Sequence, residues 1–379
     1  MIKMNRFRAQ PVEVRHNLPP LRALTAIRFF AAIHVVLVHE SFINGHIPFG
    51  PIGSRIVNSG YTAVTLFFVL SGFILAYNYE RVSDRAEFWI SRFARIYPLY
   101  LLSLLPSLAS PHFSHHPHPG ALGMLLTFTL LQGWVPSLAF SLNLVAWTLS
   151  VEAFFYALFP FLLPWTKRLR LRTFLTLQVV YFLLTCLPPL LALHSSSNSA
   201  GLWIARYWES TLPFVRLNSF FLGVFAGTWF RRYVSRTGAR PVLSGAIRAV
   251  YLVALGSGIV LLLWLQPTIL FKPLRTEALQ LCYTLLILLL SDVNWKALVS
   301  HPMQMAGEIS YGIYVLQFPV RFLYDDIVHR LFPQRTHISI LYIAVLCLVS
   351  WATFRWIEVP ARLLIRRKFT GRSVPVRAI

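Results

Sequence analysis

Arg28 and His39 lie eleven residues apart in a largely apolar stretch, LRALTAIRFFAAIHVVLVHE at residues 21–40. On an α-helix, eleven residues at about 100° each complete nearly three turns, so both side chains project from one face, roughly 16 Å apart in depth. A guanidinium binds phosphate or carboxylate, and an imidazole can serve as a base near neutral pH. The pair therefore indicates a task that crosses a membrane. The competing interpretation is structural, with Arg28 reaching the interface and His39 hydrogen-bonding to another helix.

Glu152 is an isolated carboxylate in a second apolar stretch, residues 143–160. A charged side chain at the centre of a membrane helix is unfavourable by about 2.5–3.5 kcal/mol, so such a residue is a functional candidate by default. It also needs a partner, because an uncompensated buried carboxylate would take up a proton. We expect that partner to be Arg28, His39 or Arg216, and a purely structural ion pair is the alternative.

Arg92 and Arg95 lie three residues apart in SRFARIYPLY (91–100), which makes them neighbours on one helical face. Two guanidinium groups can hold phosphate oxygens, although anchoring at the cytoplasmic membrane surface explains the same residues. Ser71 precedes a glycine in the middle of a Phe-rich stretch, where close helix packing is the alternative to a binding role. These residues are candidates for an anion site.

Two other polar features are interpreted structurally. Glu358 lies at the end of the last apolar stretch, where a local pair with Arg355 or Arg362 is the simplest explanation. Residues 111–119 (PHFSHHPHP) contain four His, which are common metal ligands, but no carboxylate or Cys accompanies them. A solvated loop is therefore the expectation there, and we predict no metal site.

The amino-acid composition indicates the class of protein in which these residues occur. Of 379 residues, 56% are hydrophobic and 13% charged, the mean hydropathy is +0.60 and the formal net charge is +22. So low a charged share at that hydropathy excludes a soluble nucleic-acid-binding protein, a disordered chain and a disulfide-rich scaffold. The composition indicates a multi-pass membrane protein whose positive charge faces anionic membrane lipid and does not bind nucleic acid.

Ten apolar stretches have about the length of a membrane span. They are residues 24–43, 60–79, 93–110, 142–164, 172–193, 211–230, 245–265, 275–291, 308–324 and 337–357. A shorter stretch at 120–133 would reach only about 20 Å and is predicted to be re-entrant or interfacial. With that assignment, 25 of the 35 Lys and Arg residues fall on one side of the membrane and 6 on the other, which places both termini in the cytoplasm.

The sequence thus predicts an all-α, polytopic membrane protein with about ten transmembrane helices. The membrane domain is expected at 24–357, between basic cytoplasmic tails at 1–23 and 358–379. The basic N-terminal stretch lacks the apolar core of a cleavable signal peptide, so none is expected. Oligomeric state is not readable from these patterns.

Several blocks follow one another in an order that resembles a known family. Arg28 and His39 enclose ten residues in the first predicted span. After them come FFVLSGF (67–73), RFARIYPLY (92–100), WTLSVEAFFY (147–156), SYGIYVLQFPV (310–320) and WIEVPAR (356–362). From residue 21 to 362 the sequence resembles the acyltransferase 3 family of integral-membrane acyltransferases. Any one block is weak support, whereas all of them in register are specific.

The resemblance implies transfer of an acyl group, most often acetyl from acetyl-CoA, to a hydroxyl of a carbohydrate or glycolipid in a bacterial cytoplasmic membrane. Arg28 and His39 would be the essential pair, with His39 as general base or transient acyl carrier. Glu152 would orient a cation or His39 itself. The residues assigned to donor binding at the cytoplasmic mouth are Arg92, Arg95 and Ser71. No metal is needed, because the thioester of the acyl-CoA is already activated.

Three positions depart from the family pattern. Thr65 stands where many members have Asp, Gln317 where a His is frequent, and Ala153 where a second carboxylate is common. The extra esterase-like domain of some relatives is not expected. The alternative function is a transporter or flippase for an anionic or sugar-containing substrate, which would use the same buried charges. The sequence has no internal repeat, which counts against a transporter, and consumption of a thioester would distinguish the two.

Overall fold

In the computed structural model, the described residues are 18–44, 50–109, 119–194, 211–237, 244–265, 271–331 and 339–370. Within these ranges the regular elements are helices and no strand is present, which confirms the all-α class. Most of the predicted N-terminal tail, the end of the C-terminal tail and nearly all of the His-rich stretch at 111–119 lie outside the described residues.

The helices are numbered here in chain order. They are α1 Arg22–Asn44, α2 Gly50–Asn58, α3 Ala63–Asn78, α4 Arg85–Ala109, α5 Ala121–Phe128, α6 Trp147–Arg168, α7 Leu171–His194, α8 Pro213–Thr237, α9 Gly245–Trp264, α10 Lys272–Leu290, α11 Lys296–Val299, α12 His301–Leu331, α13 Ser339–Thr353 and α14 Val359–Thr370. A π-helical turn, Phe354–Glu358, joins α13 to α14, and 3₁₀ turns lie at Gly60–Thr62, Gln132–Trp134 and Pro136–Leu138.

Six helical segments of the described chain are long and apolar enough to cross a membrane. They are Arg22–Ile43, Ile52–Asn78, Trp147–Arg168, Gly245–Trp264, Lys272–Leu290 and Ser339–Thr370. Helices α4, α8 and α12 coincide with other predicted spans but carry several charged side chains, which lowers their hydropathy. The chain is a multi-pass membrane protein, and the number of about ten crossings stays a prediction.

The short stretch at 120–133 contains only the eight-residue helix α5. Eight residues rise about 12 Å, too little for a membrane core of about 30 Å. The helix ends at Phe128 and Leu130 adopts a positive φ of 59°. Tyr97 and Tyr100 of α4 donate hydrogen bonds to the carbonyls of Phe128 (2.9 Å) and Thr127 (2.6 Å), which satisfies carbonyl groups that the helix end leaves unpaired.

The predicted span at 142–164 is wrong at its start, since helix α6 begins only at Trp147. Leu142 has a positive φ of 59°, which a right-handed helix cannot accommodate. The next residue, Asn143, donates its amide to the Ser103 hydroxyl and to the Val315 carbonyl, both at 3.0 Å. These contacts hold 142–146 outside the helix and place Glu152 near the start of α6.

Helices α1 and α12 run side by side in the same direction, and this pair positions most of the candidate site. At one end Gln304 donates to the Arg22 carbonyl (3.0 Å), and a Cβ on Gly307 would overlap the backbone of Thr25. At the other end His39 meets Gln317. Because both helices rise by about 1.5 Å per residue, side chains at matching heights face one another along the whole pair.

Helices α3 and α8 pack as a second close, parallel pair. A Cβ on Gly72 would overlap the backbone of Phe220, and a Cβ on Gly223 would overlap that of Val69. Gly72 therefore allows the two helices to pack closely, which is the structural alternative given for this position in the sequence analysis. Ser71, one residue earlier, points to a different neighbour, Tyr156 of α6.

Candidate functional site

Charged side chains from five parts of the fold gather beside one end of α1. We call this group the arginine–glutamate cluster; its members are Arg28, Arg92, Arg95, Glu152, Tyr156, Glu308, Tyr311, Glu358 and Arg362. Helices α1, α4, α6 and α12 contribute to it, and so does the continuous segment of the π turn and α14, which carries Glu358 and Arg362. The four guanidinium groups exceed the three carboxylates by one positive charge.

The predicted residues Arg28, Arg95 and Glu152 interact electrostatically within this cluster. The strongest attraction on the Glu152 carboxylate comes from Arg95, with smaller ones from Arg28 and Arg92. Of the three partners that we expected for Glu152, Arg28 is therefore found in the cluster. The other two expected partners interact with other residues.

Arg216 and His39 are the other two partners that we expected for Glu152. Arg216 lies near Glu277 of α10. His39 hydrogen-bonds at the far end of α1. The orientation of His39 by Glu152 stays a prediction.

Ser71 lies at the edge of the cluster. Its hydroxyl is 3.4 Å from the Tyr156 hydroxyl, which donates a hydrogen bond to Glu152 Oε2 at 3.2 Å. Tyr156 is thus the link between two predicted residues, and it follows Glu152 by one helical turn. That spacing is the signal by which Tyr156 could have been found in the sequence.

Glu358 does not make the predicted local pair with Arg355. Residues 354–358 form a π-helical turn, and Arg355 is exposed while Glu358 is buried. Glu358 instead interacts most strongly with Arg95, followed by Arg362. The expected interaction of Glu358 with Arg362 is therefore found, as part of the arginine–glutamate cluster. The extra residue of the π turn turns the Glu358 side chain toward that cluster.

Several buried polar atoms of the cluster lack a hydrogen-bond partner. In the described part of the chain, Arg92 Nε, Glu308 Oε1 and Glu358 Oε2 are among seven such side-chain atoms. An unsatisfied buried polar group is unfavourable by about 1–3 kcal/mol. Arg92 Nε is the one donor of these three cluster atoms, and the two carboxylate oxygens are acceptors. An unpaired guanidinium donor beside a surplus of guanidinium groups suits the recognition of an anion such as a phosphate.

His39 lies at the opposite end of the Arg28–His39 face, and its contacts differ in kind. His39 Nδ1 donates a hydrogen bond of 2.7 Å to Gln317 Oε1 of α12. The Phe318 ring packs against the imidazole at a centroid distance of 4.9 Å. Eleven residues of helix separate His39 from Arg28, or about 16 Å along α1.

Sequence reasoning missed an ion-pair network next to His39. Glu40 and Arg321 form a buried ion pair between α1 and α12, and Arg321 Nε also donates to Asp325 Oδ2 at 2.6 Å. The Tyr342 ring of α13 lies 5.4 Å from the Arg321 guanidinium. The signal was present, because Arg321 is a charged residue within a predicted span and Glu40 directly follows His39.

Glu308 and Tyr311 were also missed, although they lie on the same helix face of α12. Tyr311 donates to the Ile96 carbonyl at 2.7 Å, which ties α12 to α4 beside Arg95. No group of three His, Cys, Asp or Glu side chains suited to a metal ion occurs in the part of the chain that the structure describes.

The fold and site define a multi-pass helical membrane protein with a buried arginine–glutamate cluster and a separate histidine. The family model described as an acyltransferase domain, acyltransferase 3, matches residues 21–355. The chain therefore belongs to the acyltransferase 3 family, as the order of its blocks predicted.

Individual relatives agree with this family. The chain is similar to acyltransferase MdmB of Streptomyces mycarofaciens, with 30% identity over 58% of this chain and 61% of that protein. It is also similar to the putative acetyltransferase ORF330 of Acidianus two-tailed virus (26% identity, 69% of this chain, 73% of that protein). A third relative is the putative peptidoglycan O-acetyltransferase YrhL of Bacillus subtilis (24% identity, 92% of this chain, 56% of that protein). The chain thus spans about three fifths of the length of MdmB and YrhL. No solved structure matches the chain.

Proposed function

We propose that this protein transfers an acyl group, most often acetyl, from an acyl-CoA to a hydroxyl of a carbohydrate or glycolipid acceptor. One observation carries the proposal: the arginine–glutamate cluster and a hydrogen-bonded histidine lie at the two ends of one face of α1. Family membership and relatives named acyltransferase or O-acetyltransferase support the reaction class. The name of YrhL, which refers to peptidoglycan, supports a carbohydrate acceptor.

The donor's phosphates are proposed to bind at the arginine–glutamate cluster. Arg92 and Arg95 offer guanidinium groups that can bind phosphate oxygens, and Arg28 lies beside Arg95. Glu152 and Glu358 attract Arg95 electrostatically, and the cluster still keeps one surplus positive charge. The fit rests on the unpaired Arg92 Nε and on the surplus of cationic groups.

The membrane arrangement follows from the positive-inside distribution. We propose about ten spans in a bacterial cytoplasmic membrane with both termini in the cytoplasm, so that the cluster faces the cytoplasmic supply of acyl-CoA. His39 then lies in the outer half of the membrane. The long pantetheine arm of CoA would carry the thioester along the face between Arg28 and His39.

His39 is proposed to remove the proton from the acceptor hydroxyl while that oxygen attacks the thioester carbonyl. The carbon–sulfur bond then breaks, and the departing CoA thiolate takes the proton from the imidazolium. The products are the acyl ester and free CoA. If His39 instead carries the acyl group, the reaction proceeds in two half-reactions with ping-pong kinetics.

Acetyl-CoA consumption by the protein in nanodiscs, with a panel of glycan acceptors, tests the function. We expect acceptor-dependent release of CoA that disappears in His39→Ala and in Arg28→Ala. His34→Ala is the matched control, since His34 is on the same helix but contacts the Ile56 carbonyl away from this face. Release that survives His39→Ala would contradict the base assignment. Absence of both release and donor binding would favour the transporter or flippase.

A further inference from the structure

The orientation of the Gln317 side-chain amide is determined by its two partners. Its Nε2 donates a hydrogen bond of 2.7 Å to the Tyr314 carbonyl, which can only accept. The amide oxygen must therefore face the other way, toward His39 Nδ1 at 2.7 Å. Gln317 is 1% exposed, and its own carbonyl accepts from the Tyr342 hydroxyl at 2.8 Å, so the amide has a fixed support.

An amide oxygen is an acceptor only, so the His39 nitrogen that meets it must carry the proton. In a neutral imidazole one nitrogen is protonated and the other is basic. We propose that Gln317 is a positioning residue that holds His39 in the Nδ1–H tautomer and so makes Nε2 the basic nitrogen. The role of Nε2 as the base for the acceptor hydroxyl rests on the proposed function, whereas the tautomer does not.

The ionisable groups next to His39 on α1 and α12 are engaged with one another, and the tautomer follows from the Nδ1 contact with Gln317. Glu40 on α1 and Arg321 and Asp325 on α12 pair with one another one turn beyond Gln317. From α13 the Tyr342 hydroxyl donates a hydrogen bond to the Gln317 carbonyl. The buried ion pair between Glu40 and Arg321 also cross-links α1 to α12 beside the histidine, which keeps Gln317 and His39 at one height.

A neutral amide differs from a carboxylate at this position in one respect. Both accept the Nδ1 proton and select the same tautomer, but a carboxylate also stabilises the protonated ring, as the aspartate of a Ser-His-Asp triad does. Gln317 therefore orients His39 without raising the population of imidazolium. Substitution at position 317 can separate these two effects.

Kinetics of Gln317→Leu and Gln317→Glu test the proposal. Gln317→Leu has a similar volume and no acceptor, so we expect kcat to fall about 10- to 100-fold with the KM for acetyl-CoA unchanged. Gln317→Glu keeps the acceptor, so activity is retained while the acidic limb of the pH–rate profile moves up by about 1–3 pH units. Equal losses of kcat in both variants, with no movement of the profile, would mean a packing role and would overturn the proposal.

The tautomer is also measurable without turnover. Nitrogen-15 NMR of His-labelled protein in nanodiscs, with the signals assigned by comparison with His39→Gln, reports which ring nitrogen carries the proton. We expect Nδ1–H in the natural protein and loss of that preference in Gln317→Leu. An Nε2–H ring in the natural protein would overturn the proposal even if acyl transfer is established. An Nδ1–H ring without any acyl transfer would instead contradict the proposed function alone.

Discussion

The two ends of the Arg28–His39 face are built on opposite principles. Around Arg28, four arginines meet three glutamates, and buried atoms of Arg92, Glu308 and Glu358 have no hydrogen-bond partner. Around His39, the polar groups bond to one another: the imidazole to Gln317, and Glu40 and Asp325 to Arg321. In the first arrangement the Arg92 Nε donor and one surplus positive charge are what we propose an external anion would meet. In the second arrangement, around His39, the polar groups fix the position of the imidazole.

The largest expected effect is on stability, and it distinguishes the two ends. Arg321→Met removes the ion-pair partner of the buried Glu40 carboxylate, which should lower the free energy of unfolding by about 3–5 kcal/mol. Arg362→Met in the arginine–glutamate cluster removes one of four like charges and should lower it by about 1 kcal/mol or less. Unfolding of both variants in the same detergent checks the difference.

Arg330→Met is the control for that comparison. Arg330 also pairs with a carboxylate, Asp326, but its side chain is 75% exposed, so the pair should be nearly neutral for stability. A stability loss in Arg362→Met as large as that in Arg321→Met would break the distinction between the two ends, because both would then be structural.

The second prediction concerns the shape of the cation at the donor site. Arg95→Lys keeps the charge but loses the planar fork that binds phosphate oxygens in pairs. Loss of one charged hydrogen bond, about 1.5–3 kcal/mol, should raise the KM for acetyl-CoA by about 10- to 100-fold. The exposed Arg170→Lys should leave KM unchanged. An unaltered KM in Arg95→Lys would mean that the cluster acts by charge alone.

The smallest expected effect comes from the hydroxyl that joins Ser71 to Glu152. Tyr156→Phe removes one hydrogen bond to the Glu152 carboxylate, so kcat/KM should fall about 2- to 10-fold, equivalent to about 0.5–1.5 kcal/mol. Tyr283→Phe is the matched control, because its hydroxyl contacts Thr62 elsewhere in the fold at 3.3 Å. Equal losses in both variants would indicate general destabilisation and no specific role for Tyr156.

Helical periodicity was sufficient to predict which residues share a face. It placed Arg28 and His39 on one side of α1, and it paired Arg92 with Arg95, because these relations depend only on local geometry. The strongest partner of Glu152 could not be predicted from the sequence. Arg95 belongs to another helix, and the spacing of residues does not indicate which helices pack together.

Other features of the site depend on irregular backbone. The π turn at Phe354–Glu358 carries Glu358 inward, and the positive φ of Leu142 delays the start of α6. Neither leaves a periodic pattern in the sequence. The Glu40–Arg321 pair was different, since two ionisable residues in apolar stretches were visible and only their pairing required the fold.

The central claim is that the Arg28 end binds the donor and the His39 end performs the chemistry. The most direct test measures the affinity for acetyl-CoA, together with turnover, of the natural protein, Arg95→Ala and His39→Ala in nanodiscs. We predict that His39→Ala binds acetyl-CoA with the natural Kd and has no turnover, while Arg95→Ala binds at least about tenfold more weakly. Natural affinity in Arg95→Ala together with lost binding in His39→Ala would contradict the account, because the donor would then be held at the histidine end.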